Sequence, residues 1–352
     1  MSDAKPRPVN ILPGLALAVM VGLAARIIHR ALPPSAGSSL GEVIFAVLLG
    51  MLVGNIVRLP KGIEPGVRFS FQAVLRGAIV LLGASFSFHQ VVAIGGKSLI
   101  MIAVLMALAL SAAHLLGRLA GVPGRLATLI GVGTAVCGNS AIVAVAPVIR
   151  ALDEEVSFAV ATNTLFGTAA VLLYPIIGHA LHFNDHVFGT WAGTAVNDTS
   201  QVVAAGFAYS EAAGRLATAV KLTRNALMGL VIVGVGLAYA RAGAETGAAS
   251  PLAQRLKQSI PLFVLGFLAM AILNSVGVFA TLSRTLNLDL ATIFRETSRA
   301  MILVALAGVG LSTRIDAMRR TGLKPFLIGL VVALITSGAS LLLIRLIGPA
   351  SA

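Results

Sequence analysis

Two short stretches set polar side chains inside runs that are otherwise greasy. Residues 133–144 read GTAVCGNSAIVA and residues 193–204 read GTAVNDTSQVVA, and Gly, Thr, Ala, Val, Ser, Val and Ala coincide in register, seven of twelve positions. The first stretch carries Thr134, Gly138, Asn139 and Ser140, preceded by Gly131 and Gly133; the second carries Thr194, Asn197, Asp198, Thr199 and Ser200. Such side chains compete with the helical backbone for hydrogen bonds, so each stretch is expected to break its helix. In lipid a break is tolerated only where the freed backbone groups face protein or a wet cavity. The half-helix N-termini left behind carry unpaired N–H groups and partial positive charge, which suits an anion. Small residues packed between unbroken helices would be the plainer explanation of one such stretch; two matching stretches argue for a site.

Asp198 is nearly the only acid deep in an apolar segment. An intramembrane carboxylate is expensive and is a functional candidate by default. Like charges repel, so beside an anion it is expected to carry a coupling proton or to pair with a cation. Lys221 and Arg224 lie in the apolar run 217–235, with Thr218, Lys221 and Asn225 on one helical face. They are expected to attract an anionic substrate or to pair with Asp198; snorkelling to headgroups is the alternative. Arg295 and Arg299 read as anchors at a segment start. Asn163, Thr164 and Thr168 face either a cavity or a neighbouring helix. Asp153, Glu154 and Glu155 are expected to cap a helix N-terminus. His179, His182, Asp185 and His186 have helix-like spacing but sit at a segment end, where a solvated loop is a better reading than a metal site. No phosphate loop, nucleophile with a positioned base or zinc-protease motif is found. Neither enzymatic activity nor a cofactor is therefore expected.

The elements that must hold these residues follow from composition. The chain has 352 residues, 57% hydrophobic and 11% charged, with a mean hydropathy of +0.95. That is less than half the charge a soluble domain carries. Eleven apolar segments, at about 11–29, 41–57, 72–92, 98–119, 126–149, 155–181, 188–209, 215–240, 259–281, 292–312 and 323–347, each approach the length of a membrane-crossing helix. Only helices or closed barrels satisfy their backbone in lipid, and the alternating barrel pattern is missing. An all-α polytopic bundle of about 10–11 segments is expected, with residues 1–10 and 348–352 as tails and 11–347 as one membrane domain. The run 11–28 reads as the first span rather than a cleaved signal. The net charge of +13 sits in short loops and at helix ends, as membrane topology requires, which argues against nucleic-acid binding. A lone Cys137 excludes an internal disulfide. A fainter similarity links GASFS (83–87) with GVGLS (308–312), each closing an apolar segment. Internal duplication is the common construction of secondary transporters, usually inverted. With eleven spans the two GTAV segments would run parallel, which inversion forbids; one re-entrant segment or a permuted repeat would resolve the conflict.

The motifs at 131–159 (GVGTAVCGNSAIVAVAPVIRALDEEVSFA) and 193–206 (GTAVNDTSQVVAAG), with LLGASFSF (81–88) and AVKLTRN (219–225), resemble the YeiH-type family of bacterial inner-membrane proteins, provisionally named sulfate exporters. More distantly, residues 82–87, 99–119 and 131–147 are similar in order to the bile-acid and arsenite carrier superfamily, although the second half departs from that order. The resemblance implies a multi-pass inner-membrane carrier with crossing discontinuous helices. The sequence expectation is a secondary carrier, in the export direction, of a small inorganic or organosulfur anion such as sulfate. Thr134, Gly138, Asn139, Ser140, Thr194, Asn197, Ser200, Lys221 and Arg224 would bind it and Asp198 would couple a proton. A passive anion channel and a non-transporting scaffold or sensor are the rival readings. The partners are the anion and the bilayer, and apolar packing faces leave room for a homodimer.

Overall fold

A computed structural model describes residues 10–31, 42–57, 60, 62–241, 261–313 and 323–350. The expected N-terminal tail, most of the 314–324 connection and the last two residues lie outside the described residues. Among the described residues there is no strand. The helices are α1 (Leu12–Ala31), α2 (Glu42–Ile56), α3 (Glu64–Ser85), α4 (Phe88–Leu119), α5 (Gly124–Ala135), α6 (Asn139–Val145), α7 (Asp153–Ala180), α8 (Asp185–Ala195), α9 (Thr199–Tyr209), α10 (Glu211–Arg241), α11 (Leu262–Ser275), α12 (Val278–Leu286), α13 (Leu290–Ser312) and α14 (Leu323–Ile347). Six of them, α1, α3, α4, α7, α10 and α14, are long and apolar enough to cross a membrane, and the pair α11–α12, bent by 68°, makes a seventh if it is one span. This is a multi-pass membrane protein. Every apolar segment of the sequence has its helix, but the two GTAV segments are each a pair of short helices.

The helix boundaries follow local chemistry. Ser87 Oγ accepts from Gln90 N–H while Gln90 Oε1 accepts from Ser87 N–H at 3.0 Å, a reciprocal cap that starts the 32-residue α4. As expected, α7 opens on Asp153, Glu154 and Glu155, and Glu155 Oε2 accepts from Leu152 N–H at 2.8 Å. GASFS ends α3 and GVGLS ends α13, so the fainter similarity marks two helix stops.

The chain forms two compact units, Met1–Ala78 with Glu296–Arg314, and Ile79–Arg295 with Ile315–Ala352. In the first, α1, α2, the start of α3 and the end of α13 pack through glycine. A side chain on Gly14 would meet Gly66 Cα at 2.8 Å, and one on Gly50 would meet Gly310 Cα at 3.0 Å. Small residues are what let membrane helices approach this closely, because lipid supplies no hydrophobic drive for their association. Asn55 Nδ2 fastens the same unit by donating to Thr313 O at 2.8 Å, and Arg26 pairs with Glu42 at 3.2 Å.

In the second unit α4, α7, α10 and α14 surround the two short-helix pairs. The second pair is held by aromatic packing: Tyr174 of α7 stacks on Trp191 of α8 at 4.0 Å, and Phe188 of α8 on Tyr209 of α9 at 3.9 Å. Trp191 Nε1 also donates to Ser337 Oγ of α14 at 3.1 Å.

The backbone contact between Gly50 and Gly310 makes a simple prediction. Gly310→Leu is expected to lower the thermal midpoint in detergent by several degrees or abolish folding, because the added atoms meet backbone. Gly338→Leu, on α14 where an added Cβ has nothing within 4 Å, is expected to behave as the parent. Fluorescence-detected size exclusion after heating distinguishes the two.

Candidate functional site

The two GTAV segments fold back on themselves. In α8–α9 the ends of the pair meet: Ser210 Oγ donates to Asp185 Oδ1 at 2.5 Å, and Tyr209 Oη donates to Phe183 O. A straight helix over those 25 residues would hold Asp185 and Ser210 about 37 Å apart. In α5–α6 a side chain on Gly133 would lie 2.8 Å from Ile142 Cδ1, nine residues on, where a straight helix would separate them by about 13 Å. Gly138, at φ +72° and ψ −131°, a conformation open to glycine, makes this reversal, and its N–H donates to Gly133 O at 3.1 Å.

The hairpins enter from opposite ends of α7. Hairpin α5–α6 leads by a short turn into the start of α7 at Asp153, and hairpin α8–α9 opens beside its other end, where Phe188 and Tyr209 pack against Gly178. Their tips, 136–138 and 196–198, meet beside Asn163 and Thr164 in the middle of α7. The parity conflict in the sequence is thereby resolved: both GTAV segments are re-entrant, and they are inverted relative to each other.

At the tips four half-helix ends converge. The two C-terminal ends are closed by α10. Lys221 Nζ donates to Val136 O at 2.8 Å, to Val196 O at 3.1 Å and to Asn197 O. Arg224 Nε donates to Ala135 O at 2.7 Å, and its Nη1 to Thr194 O at 2.7 Å and Val196 O at 3.3 Å. The last carbonyls of a helix have no intrahelical donor and carry partial negative charge, so cations there satisfy both needs. Three carbonyls around Nζ match the three donors of an ammonium group. Lys221 is 0% exposed and Arg224 4%. Snorkelling is thus ruled out, and the cations bond backbone rather than Asp198.

The N-terminal ends are the open side. Asp198 caps α9, its Oδ1 accepting from Ser200 N–H at 2.9 Å and Ser200 Oγ at 2.7 Å. Asn139 Nδ2 donates to Thr164 Oγ1 at 3.0 Å, and Asn163 Nδ2 to Asn139 Oδ1 at 2.8 Å. Asn225 Nδ2 donates to Thr199 Oγ1 at 3.1 Å. Gly138 lies where the tips cross; a side chain there would stand 2.9 Å from both Asn163 Nδ2 and Asp198 Oδ2. Asn139, Asp198, Thr199 and Ser200, with Thr164 of α7, are half-buried or exposed. Three buried amide oxygens, Asn163 Oδ1, Gln201 Oε1 and Asn225 Oδ1, have no hydrogen-bond partner. Because a hydroxyl both donates and accepts, the chain Asn163–Asn139–Thr164 is satisfied in either direction. One direction leaves an oxygen of Asn163 unpaired; the other leaves its NH₂ group free for an acceptor.

The structure therefore brings Gly138, Asn139, Asn197, Asp198, Ser200, Lys221 and Arg224 together at the tips. Ser140, one residue into α6, is exposed. Thr134 and Thr194 are buried in the supporting helices, where Thr194 Oγ1 meets Ser340 Oγ of α14 at 2.7 Å. Sequence reasoning missed Gln201, whose Nε2 donates to Thr164 O at 3.1 Å and approaches Thr168 Oγ1 at 3.4 Å. It occupies the repeat position held by Ala141 in the other hairpin, a polar-for-apolar difference visible in the aligned motifs. Arg299 pairs with Glu296 at 3.4 Å, and among the histidine-rich residues His179 stacks on Tyr209 at 4.3 Å.

Comparison with known proteins gives a family but no activity. The family described as conserved hypothetical protein 698 matches residues 13–329. A UPF0324 membrane protein of Clostridium tetani is 32% identical over 354 residues, covering 98% of each chain. One from Nitratidesulfovibrio vulgaris is 32% identical over 329 residues, 92% of this chain and 89% of its own. Another, from Streptococcus pyogenes serotype M18, is 35% identical over 324 residues, 91% of this chain and 92% of its own.

Replacing Lys221 tests which role it has. Lys221→Met leaves carbonyls of both tips without a donor, and bonds to a charged donor are worth about 1.5–3 kcal/mol each. Amide hydrogen exchange is expected to speed up at 133–138 and 194–198 while α4 and α14 stay protected. Unchanged exchange at the tips would show that the ammonium does not hold them.

Proposed function

The chain belongs to the UPF0324 family of bacterial membrane proteins, the YeiH type, and on that premise we propose that it is a proton-coupled secondary carrier of a small anion, with sulfate and related sulfur oxyanions as the first substrates to test. The observation that carries this reading is the meeting of two inverted re-entrant hairpins around a buried Lys–Arg pair, with polar, half-open N-terminal ends on one side. Binding near the midplane at broken helices is how inverted-repeat carriers are built. Export as the direction is implied by the family resemblance.

The charge balance supports an anion. Each helix N-terminus contributes about +0.5 and each C-terminus about −0.5, so the four ends at the tips cancel. Lys221 and Arg224 then leave about two positive charges, and an ionised Asp198 reduces the excess to about one. A proton on Asp198 restores the second. It also weakens the hold of Asp198 Oδ1 on the N–H and hydroxyl of Ser200, since a neutral carboxyl is a poorer acceptor than a carboxylate. The proton and the anion would thus cooperate: protonation weakens a competitor for the same donors and adds field for a doubly charged ligand. Reversal of the amide chain through Asn139 and Thr164 would free the NH₂ of Asn163 as a further donor. In this reading Lys221 and Arg224 act through field and by holding the tips rather than by touching the substrate.

Purified protein in liposomes provides the test. Labelled sulfate, sulfite and thiosulfate uptake is measured under a pH gradient and, separately, under a sodium gradient at equal pH. Saturable uptake driven by the pH gradient is expected. Asp198→Asn should lose that drive while retaining anion exchange, because the neutral amide mimics the protonated state. Flux driven only by sodium would transfer the coupling role to a metal cation, conductance far above carrier turnover would favour a channel, and no flux of any anion from folded protein would end the transport reading.

A further inference from the structure

A groove of about 710 Å³ runs along the second unit between α4, α5 and α10. Its walls are apolar, among them Ala103, Met106 and Leu110 of α4 and Leu230 and Val235 of α10. From Ala103 to His114 it follows eleven residues of α4, about 16 Å, which matches the roughly 15 Å hydrocarbon depth of one leaflet. Only one end is polar. There His114 faces the groove and Thr128 Oγ1 meets Tyr239 Oη at 2.9 Å.

Beyond the polar end stand three arginines. Arg118 lies one turn past His114 on the same face of α4, Arg125 three residues before Thr128 on α5, and Arg241 three residues past Ala238 on α10. All three are at least partly open to the surroundings. The helix directions put them at one end, because α4 finishes, α5 begins and α10 finishes there.

We propose that this groove seats an acyl chain of an anionic phospholipid whose phosphate lies against Arg118, Arg125 and Arg241. The dimensions fit one leaflet, and the charge lies at the end where a headgroup would sit. Basic pockets between spanning helices on the cytoplasmic side recognise anionic headgroups in this way, and the positive-inside rule places an arginine-rich end on that side. A second copy is the poorer occupant: a twofold axis along the membrane normal would bring three more arginines to the same end, where like charges repel.

The full chain in mild detergent is titrated with phosphatidylglycerol or phosphatidylcholine, and bound lipids are counted by native mass spectrometry. One phosphatidylglycerol is expected to be retained in preference to phosphatidylcholine. Arg118→Gln, Arg125→Gln and Arg241→Gln should each weaken its retention about fivefold and leave phosphatidylcholine unchanged. Gly234→Leu projects into the groove from a position with nothing within 4 Å, so it should fold normally and displace both lipids. Equal retention of the two lipids by the parent overturns the proposal. So does full phosphatidylglycerol retention by Gly234→Leu, or displacement by inorganic phosphate alone, which would mean that the chain seat contributes nothing. A Gly234→Leu protein that turns from dimer to monomer with its lipid count intact assigns the groove to a second copy instead.

Discussion

The second unit depends on two buried cations holding four interrupted helix ends. Cutting a helix in the middle of a bilayer exposes carbonyls that water cannot reach, and each unsatisfied one is costly. Lys221 and Arg224 meet that need for both hairpins at once, because one helix, α10, passes between the two tips. The same bonds offset the desolvation of the cations, which alone would be expensive to bury. This mutual need explains why Lys221 can be wholly buried with backbone carbonyls as its hydrogen-bond acceptors: its counter-charge is the backbone.

From this follows an asymmetry that the site exploits. With the C-terminal ends closed by cations, the N-terminal ends are left to side chains, and of the two only α9 has a capping carboxylate. Gly138 offers α6 no side-chain cap, whereas Asp198 caps α9. The two hairpins match at GTAV and then diverge, CGNS against NDTS, where the chemistry sits. Duplication supplied the scaffold and divergence the difference: a bare end at one tip, and an end whose donors are held by a titratable group at the other.

Much of this was legible in the residues. The breaks were, because Gly, Asn, Asp and Ser in an apolar run conflict with helix propensity and with lipid together. So was the gathering of Asn139, Asp198, Lys221 and Arg224. The reversal of direction at each break was not, since a broken span and a re-entrant hairpin share composition and length. What separates them is long-range: Ser210 reaching Asp185, and aromatic stacking of Phe188 on Tyr209. The partner of Lys221 was hidden for a similar reason. Sequence displays charged side chains, so Asp198 was the visible candidate, while the carbonyls that accept its protons exist in every residue and become special only at a helix end. Thr134 and Thr194 show the converse, polar residues of the motif that lie buried in the supporting helices away from the open ends.

The unpaired oxygens of Asn163, Gln201 and Asn225 then acquire a meaning. A packed helical bundle seldom leaves buried acceptors empty, because each costs about 1–3 kcal/mol. Buried acceptors of this kind are met by ordered water or by a ligand. Asp198 Oδ2 stands across Gly138 from Asn163 Nδ2, with no side chain between them. In the proposed carrier the two bonds from Ser200 hold the ionised carboxylate, so a proton on Asp198 is favoured only together with the arriving anion. In that reading an anion arriving without the proton meets a carboxylate, and one arriving with it meets a carboxyl O–H. Coupling of the proposed kind needs no long pathway, because both ligands would act on the donors of a single helix turn.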